Sequence, residues 1–142
     1  VKLKPSMRHA AILAALCLLS VGMSGCISQS GYEFKSGITP PQAVSDLMKN
    51  GTVILFITQN NCPACEQTRP MIVDLQKQYN GTNVTFVNFN IDNNTTSRNI
   101  GQAYGVTATP TTVVLRKDGA AAIFVGIFDE NTVKSAIEDA RK

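Results

Sequence analysis

The sequence predicts an α/β protein built as a mixed central β-sheet sandwiched by α-helices, and three observations carry that expectation. Short β-branched apolar runs alternate with helical periodicity: Thr52–Thr58 (TVILFIT) is followed by Thr68, Met71, Ile72, Leu75 and Tyr79 at three-to-four spacing. A strand–helix–strand succession implies a parallel pair joined by a right-handed crossover. Near the end of the chain two further strands flank Asp118-Gly119, a hairpin signal that adds antiparallel members to the sheet.

Taken in order, the chain begins with a basic segment. Lys2, Lys4, Arg8 and His9 precede an apolar run from Ala10 to Val21 and the small-residue stretch Gly22-Met23-Ser24-Gly25-Cys26, which together have the three parts of a secretory signal. The run is shorter than the ~20 apolar residues a bilayer span needs, which disfavours an uncleaved anchor. Cys17 lies inside it and reads as a small hydrophobe. Met23-Ser24-Gly25-Cys26 resembles the lipobox of prokaryotic lipoproteins. That resemblance implies lipidation at Cys26 and an extracytoplasmic protein held on the outer face of the cell membrane; a plain cleaved signal would instead leave it secreted, with Cys26 an incidental thiol. The expected organisation is a signal over residues 1–25, a Ser- and Gly-rich tether over 26–38 in which Tyr32–Phe34 can form a short edge strand, and one domain over 39–142. Residues 1–25 hold three of the 13 Lys and Arg and no acid, so the rest has ten bases against ten acids. A neutral domain gives no basic surface for nucleic acid.

Within the domain, a first helix is signalled by Thr39 as cap, Pro40 and Pro41 in its first turn, an apolar face of Ala43, Val44, Leu47 and Met48, and a stop at Asn50-Gly51. The strand Thr52–Thr58 leads to a helix that starts at Cys62, carries Pro70 as a predicted kink and ends near Asn80-Gly81. Val84–Ile91 alternates as a second strand. Asp92–Ser97 reads as a polar turn and Arg98–Tyr104 as a short helix ended by Gly105. Thr111–Leu115 and Ala120–Val125 form the hairpin, and Asp129–Arg141 closes the chain as a helix with Val133, Ala136, Ile137 and Ala140 inward. Phe86, Phe89, Phe124 and Phe128 read as core or groove walls.

The chemistry concentrates at Cys62-Pro63-Ala64-Cys65, a C-x-x-C where an apolar strand meets a helix. Unpaired N–H groups and the positive end of the helix dipole favour thiolate over thiol there, and can bring a cysteine from about 8.5 to roughly 3.5–7.5. Cys62 is therefore the expected nucleophile. Cys65, one turn deeper, is the expected resolving thiol that attacks a mixed disulfide on Cys62.

Element order and motif spacing together resemble the thioredoxin family over roughly Thr39 to the C-terminus. Pro70, five residues after Cys65, matches the family's helix proline. Phe89-Asn90-Ile91-Asp92 resembles its strand-end pattern, Tyr104-Gly105-Val106 with Thr109-Pro110-Thr111 its later segment, and Lys117-Asp118-Gly119 with Gly126 its hairpin and following glycine. The resemblance implies a thioredoxin fold, a cis-Pro110 beside the dithiol, and a Thr109 backbone exposed for pairing with a substrate peptide. Asn61, Pro63 and Ala64 are then the other substrate-contacting residues. They also mark departures, since the family usually has tryptophan before the first cysteine and Gly-Pro between the two. Phe56 stands where the family has a buried aspartate, and Asn88 where a lysine often accompanies it, so proton transfer at Cys65 must use water or another route.

Rival readings of a C-x-x-C are a zinc site, a structural disulfide and a redox-inactive peptide-binding or chaperone module of the same fold. Zinc needs about four ligands, and Cys17, Cys26 and His9 all belong to the leader or anchor. A C-x-x-C bond closes a tiny loop and constrains the unfolded chain little. A Cys–His nucleophilic pair fails for want of a histidine in the domain. Asn50, Asn80, Asn83, Asn93 and Asn94 each begin an N-x-[ST] sequon that an exported chain could carry glycosylated. The expectation is a monomeric thiol–disulfide oxidoreductase with no cofactor and no metal, exchanging disulfides with protein substrates and a redox partner protein.

Overall fold

The computed structural model describes residues 31–142; the leader, Cys17 and Cys26 lie outside the described residues. The elements are α1 (Gln42–Met48), β1 (Thr52–Thr58), α2 (Pro63–Gln78), β2 (Val84–Asn90), α3 (Thr95–Ala103), β3 (Thr111–Leu115), β4 (Ala121–Val125) and α4 (Glu130–Ala140). The sheet runs β2-β1-β3-β4, with β1 and β2 parallel and both other pairings antiparallel. This is the mixed, helix-flanked sheet that the order of apolar runs predicts. Among the described residues, no helix is long and apolar enough to cross a membrane.

All seven residues of β1 are buried, as a continuous apolar run in a central strand should be. Alternate residues of β1 and β3 feed two cores. Val53, Leu55, Ile57, Val113 and Leu115 pack on one face with Val44, Met48, Ile100 and Tyr104 from the α1 and α3 side. Ile54 and Val114 pack on the other with Phe124 of β4, Leu75 of α2, and Val133 and Ile137 of α4. A smaller cluster of Phe56, Cys65 and Ile72 lies at the dithiol end. Phe124 is core, Phe86 and Phe128 are half-buried against its cluster, and Phe89 is half-buried against the core on the opposite face.

Two helix starts differ from the sequence reading. Thr39 does not cap α1: Pro41 holds the cap position, and its carbonyl accepts the Val44 and Ser45 N–H groups at 2.8 and 3.0 Å. The tight bond from the Val44 N–H takes over the donor that a side-chain cap would satisfy, so the turn closes without one. The stretch 92–97 is not wholly a turn, because α3 already begins at Thr95. The Asn94 side chain accepts the Ser97 N–H at 2.8 Å and draws Thr95–Ser97 into the first turn. Helical apolar spacing starts only at Ile100, which hid this. Elsewhere α2 runs unbroken through Pro70, and Gly51 and Gly119 hold left-handed backbone at φ 139° and 91°. A Cβ on Gly51 would run into the Asn83 carbonyl oxygen, which accepts the Thr52 N–H at 3.0 Å where β1 begins beside β2.

The chain enters the domain at the pole away from the dithiol. Lys35 bridges Ala121 in antiparallel fashion, its N–H and carbonyl both engaged at 2.9 Å, while Tyr32 and Phe34 pack on the Phe124 side of the core. The end of α4 lies at the same pole, where the Thr52 hydroxyl donates to the Ala140 carbonyl at 3.2 Å.

Tyr104 holds the one buried side-chain polar atom with no partner among the described residues, its hydroxyl, and burial pushes that phenol up to about 12. Tyr104→Phe removes the orphan group at little cost in packing. It is expected to stabilise the fold by about 1 kcal/mol, read as a higher thermal midpoint; a lower midpoint would show that the hydroxyl has a partner.

Candidate functional site

β1 delivers the chain to the sheet's end at Thr58, and five residues later α2 begins at Pro63. Cys62 is the N-cap of that helix: its sulfur accepts the Cys65 N–H at 3.1 Å, and Pro63 fills the first helical position, where an N–H would have no partner. Asn61 adopts φ 51°, a left-handed conformation that asparagine tolerates better than most residues and that turns the strand into the helix. Cys62 and Cys65 are joined as a disulfide with Cα atoms 5.2 Å apart. Cys62 is half-exposed, whereas Cys65 is 1 % exposed and packed against Phe56 and Ile72.

The Thr109–Pro110 peptide bond is cis, and it lies beside the dithiol: the Thr109 hydroxyl donates to the Cys62 sulfur at 3.5 Å. Pro110 in turn accepts the Gly126 N–H at 2.7 Å, which brings Val125 and Ile127, 44 % and 52 % exposed, alongside. Ala64 contributes its carbonyl to the Thr68 hydroxyl at 2.9 Å, fixing the helix start. The structure thus brings Asn61, Cys62, Pro63, Ala64, Cys65, Thr109 and Pro110 to one end of the sheet. Cys26 lies outside the described residues.

Several neighbours escaped the sequence reading. On the flank of Cys62 away from Thr109 is a groove of about 530 Å³ lined by Gln59, Asn60, Asn61, Asn90, Glu66 and Arg69 beside Cys62 and Pro63. Asn90 arrives there because the parallel register sets it opposite Thr58. Its amide donates to Asn60 Oδ1 at 2.9 Å and its own Oδ1 accepts the Asp92 N–H at 2.9 Å, while Asp92 accepts the Asn60 N–H at 2.8 Å. Glu66 and Arg69 pair at 2.9 Å; that hydrogen bond, with the nearby positive charge, holds the Glu66 carboxyl below its usual range. In the sequence Gln59 and Asn60 carry only a turn signal, 66–69 a helix surface and Asn90 a strand-end pattern, while Asn61 is already expected to contact substrate. Val125 and Ile127 read as the ordinary end of a strand.

Beneath Cys65 the floor is apolar. Phe56 is 2 % exposed, and the Asn88 that faces it in register uses its Oδ1 to accept the Thr58 hydroxyl at 3.0 Å. No group of three or more His, Cys, Asp or Glu side chains among the described residues is placed to hold a metal ion. The arrangement supports thiol–disulfide exchange: an accessible sulfur at a helix N-terminus, with a second sulfur bonded to it from the protected side.

Comparison with known proteins agrees with this geometry. Residues 40–141 match the thioredoxin-like domain family. Among solved structures, a mutant thioredoxin from Halobacterium salinarum is 24% identical with a TM-score of 0.60, over 73% of this chain and 88% of that one. Mitochondrial thioredoxin 3 from Saccharomyces cerevisiae in its oxidized form is 23% identical with a TM-score of 0.59, over 68% and 87%. Thioredoxin O2 from Arabidopsis thaliana in the oxidized state is 25% identical with a TM-score of 0.57, over 70% and 88%. A search of curated proteins gives no match. With the family matched over most of its length and the fold shared with three thioredoxins, this chain belongs to the thioredoxin-like domain family.

Proposed function

We propose that this chain is an extracytoplasmic thiol–disulfide oxidoreductase, tethered through a lipid on Cys26, that exchanges disulfides with cysteines of protein substrates. The observation that carries the chemistry is the asymmetry of the pair: Cys62 half-exposed at the cap of α2, Cys65 buried behind it. The Cys62 thiolate attacks a substrate disulfide, forming a mixed disulfide and expelling one substrate sulfur as thiolate. Cys65 then loses its proton to water and attacks the Cys62 sulfur. This closes the Cys62–Cys65 bond, and the second substrate sulfur leaves and takes up a proton. Run backwards, the same steps oxidise a substrate dithiol. The leader and the resemblance of Met23–Cys26 to a lipobox support the tether, and a compartment where disulfides persist leaves both directions open.

Equilibration of the full chain with glutathione buffers of graded potential tests the reading. Reversible cycling of the pair is the expected result, and a midpoint near about −270 mV or near about −120 mV would mark a reductant or an oxidant respectively. A pair that never cycles would leave a peptide-binding module of the same fold.

Among the described residues, Thr109 contributes the one side-chain hydroxyl on the reactive sulfur. Thr109→Val is expected to slow attack on a small disulfide about threefold to tenfold near neutral pH and to move the rate–pH profile to higher pH, because the thiolate loses a donor. An unshifted profile would mean that the hydroxyl does not touch the thiolate once the disulfide is open.

A further inference from the structure

We infer that the amide-lined groove beside Cys62 is a substrate subsite that selects a polar, uncharged residue next to the substrate cysteine; the inference rests on the oxidoreductase reading and deepens it. The groove holds about 530 Å³ and opens directly onto Cys62, on the flank opposite the Thr109 hydroxyl. Its wall is prebuilt. Asn60, Asn90 and Asp92 hold one another through three hydrogen bonds of 2.8–2.9 Å, so it needs little ordering when a substrate arrives.

What that network leaves over is the recognition surface. Among the described residues, the side-chain amides of Gln59 and Asn61 have no hydrogen-bond partner and keep both donors and an acceptor for a ligand in the groove they line, whereas Asn60, whose Oδ1 is taken by Asn90, keeps only its Nδ2 donors. The left-handed backbone of Asn61 fixes that residue immediately before the reactive sulfur. A side chain seated here meets hydrogen-bonding groups. An apolar side chain would strip water from those amides without replacing their partners, a penalty that discriminates more sharply than the loss of an apolar contact. Glu66 and Arg69 in the lining offset each other's charge at 2.9 Å and the Asp92 carboxylate in the wall already accepts the Asn60 N–H, so a charged flank meets no unpaired counter-charge there. The other flank of the dithiol, with Val125 and Ile127 exposed, is apolar, so the two sides of a substrate cysteine meet different chemistry.

The test uses the full reduced chain and three short peptides, each with one cysteine as a mixed disulfide with thionitrobenzoate: Leu-Cys-Leu, Leu-Cys-Asn and Asn-Cys-Leu at the core. Attack by Cys62 on the peptide sulfur forms the Cys62–peptide disulfide and releases the coloured thionitrobenzoate; Cys65 then closes the protein disulfide and frees the peptide thiol. One of the two asparagine peptides is expected to exceed Leu-Cys-Leu in kcat/KM by about threefold to tenfold, the range of one net hydrogen bond or slightly more. The preference should fall toward unity in Asn61→Gly, which keeps the left-handed backbone, and diminish in Gln59→Ala. Because the readout is a ratio of peptides within one variant, any general change in thiol reactivity cancels. Leu-Cys-Leu reacting as fast as both others, or a preference that survives in both variants, would overturn the subsite while leaving the oxidoreductase standing. No colour from any peptide would overturn both.

Discussion

Cys62→Ser is expected to lower disulfide turnover by at least about a thousandfold, and Cys65→Ser to stop the reaction one step later with substrate bound. The reasons differ. A serine hydroxyl at the cap of α2 has no base to activate it, since Glu66 is paired with Arg69, Asp92 is engaged with Asn60, and the partners of the Cys62 sulfur are the Cys65 N–H and the Thr109 hydroxyl, so the first step has no nucleophile. With Cys65 gone, Cys62 still attacks, but nothing behind it can displace the substrate. The mixed disulfide then accumulates as a band of substrate-plus-protein mass on non-reducing gels and disappears with a reducing agent. Cys65 is 1 % exposed and sealed against Phe56 and Ile72, which keeps outside thiols from doing its work. Turnover retained by Cys62→Ser would end the redox reading; a Cys65→Ser protein that traps nothing would reverse the two roles.

Phe56→Asp, which restores the acid that most relatives are expected to carry there, should cost at least about 3–5 kcal/mol from lost packing alone. Phe56 is 2 % exposed in the central strand. Of the groups around it, Cys65 and Ile72 offer a carboxylate nothing, and Asn88, whose Oδ1 accepts the Thr58 hydroxyl, can offer only a neutral amide donor and no compensating charge. Arg69 lies over the ring at 5.8 Å but is already held by Glu66, and an aspartate stops well short of the space the phenyl fills. Burial would therefore favour the neutral acid and raise its folded-state pKa above the unfolded ~3.9. Between those two values the folded state keeps a proton the unfolded state has lost, so stability falls as pH rises through that window. Urea denaturation should show a larger loss at pH 7 than at pH 4. Equal losses would mean that water already reaches the underside of Cys65.

What was legible in the sequence and what was not follow from how each feature is encoded. β1, β3 and α4 announce themselves because long-range burial repeats along a few consecutive residues, and Cys62–Cys65 because strand, turn and helix signals meet there. The start of α3 was hidden because Asn94 stabilises it through a side-chain hydrogen bond, which leaves no apolar period. Thr39 misled for the converse reason: it has the chemistry of a cap, but two prolines stand between it and the helix. The amide groove was invisible because its wall joins residues 59–61 to Asn90 through strand register, a relation that spacing along the chain cannot display. The resemblance to thioredoxins supplied the expectation of Pro110 beside the dithiol, which no local pattern carried.

Lys35 at the edge of β4 and Ala140 beside Thr52 mean that both ends of the described chain leave the domain at one pole. The dithiol sits at the other, beyond the length of β1, roughly 20 Å at about 3.3 Å per residue. A group joined directly at either of these ends, whether a solid support or a second fused domain, therefore meets the domain on the side away from the dithiol. The domain is thus laid out like a pen, with the holder gripped at one end and the nib at the other.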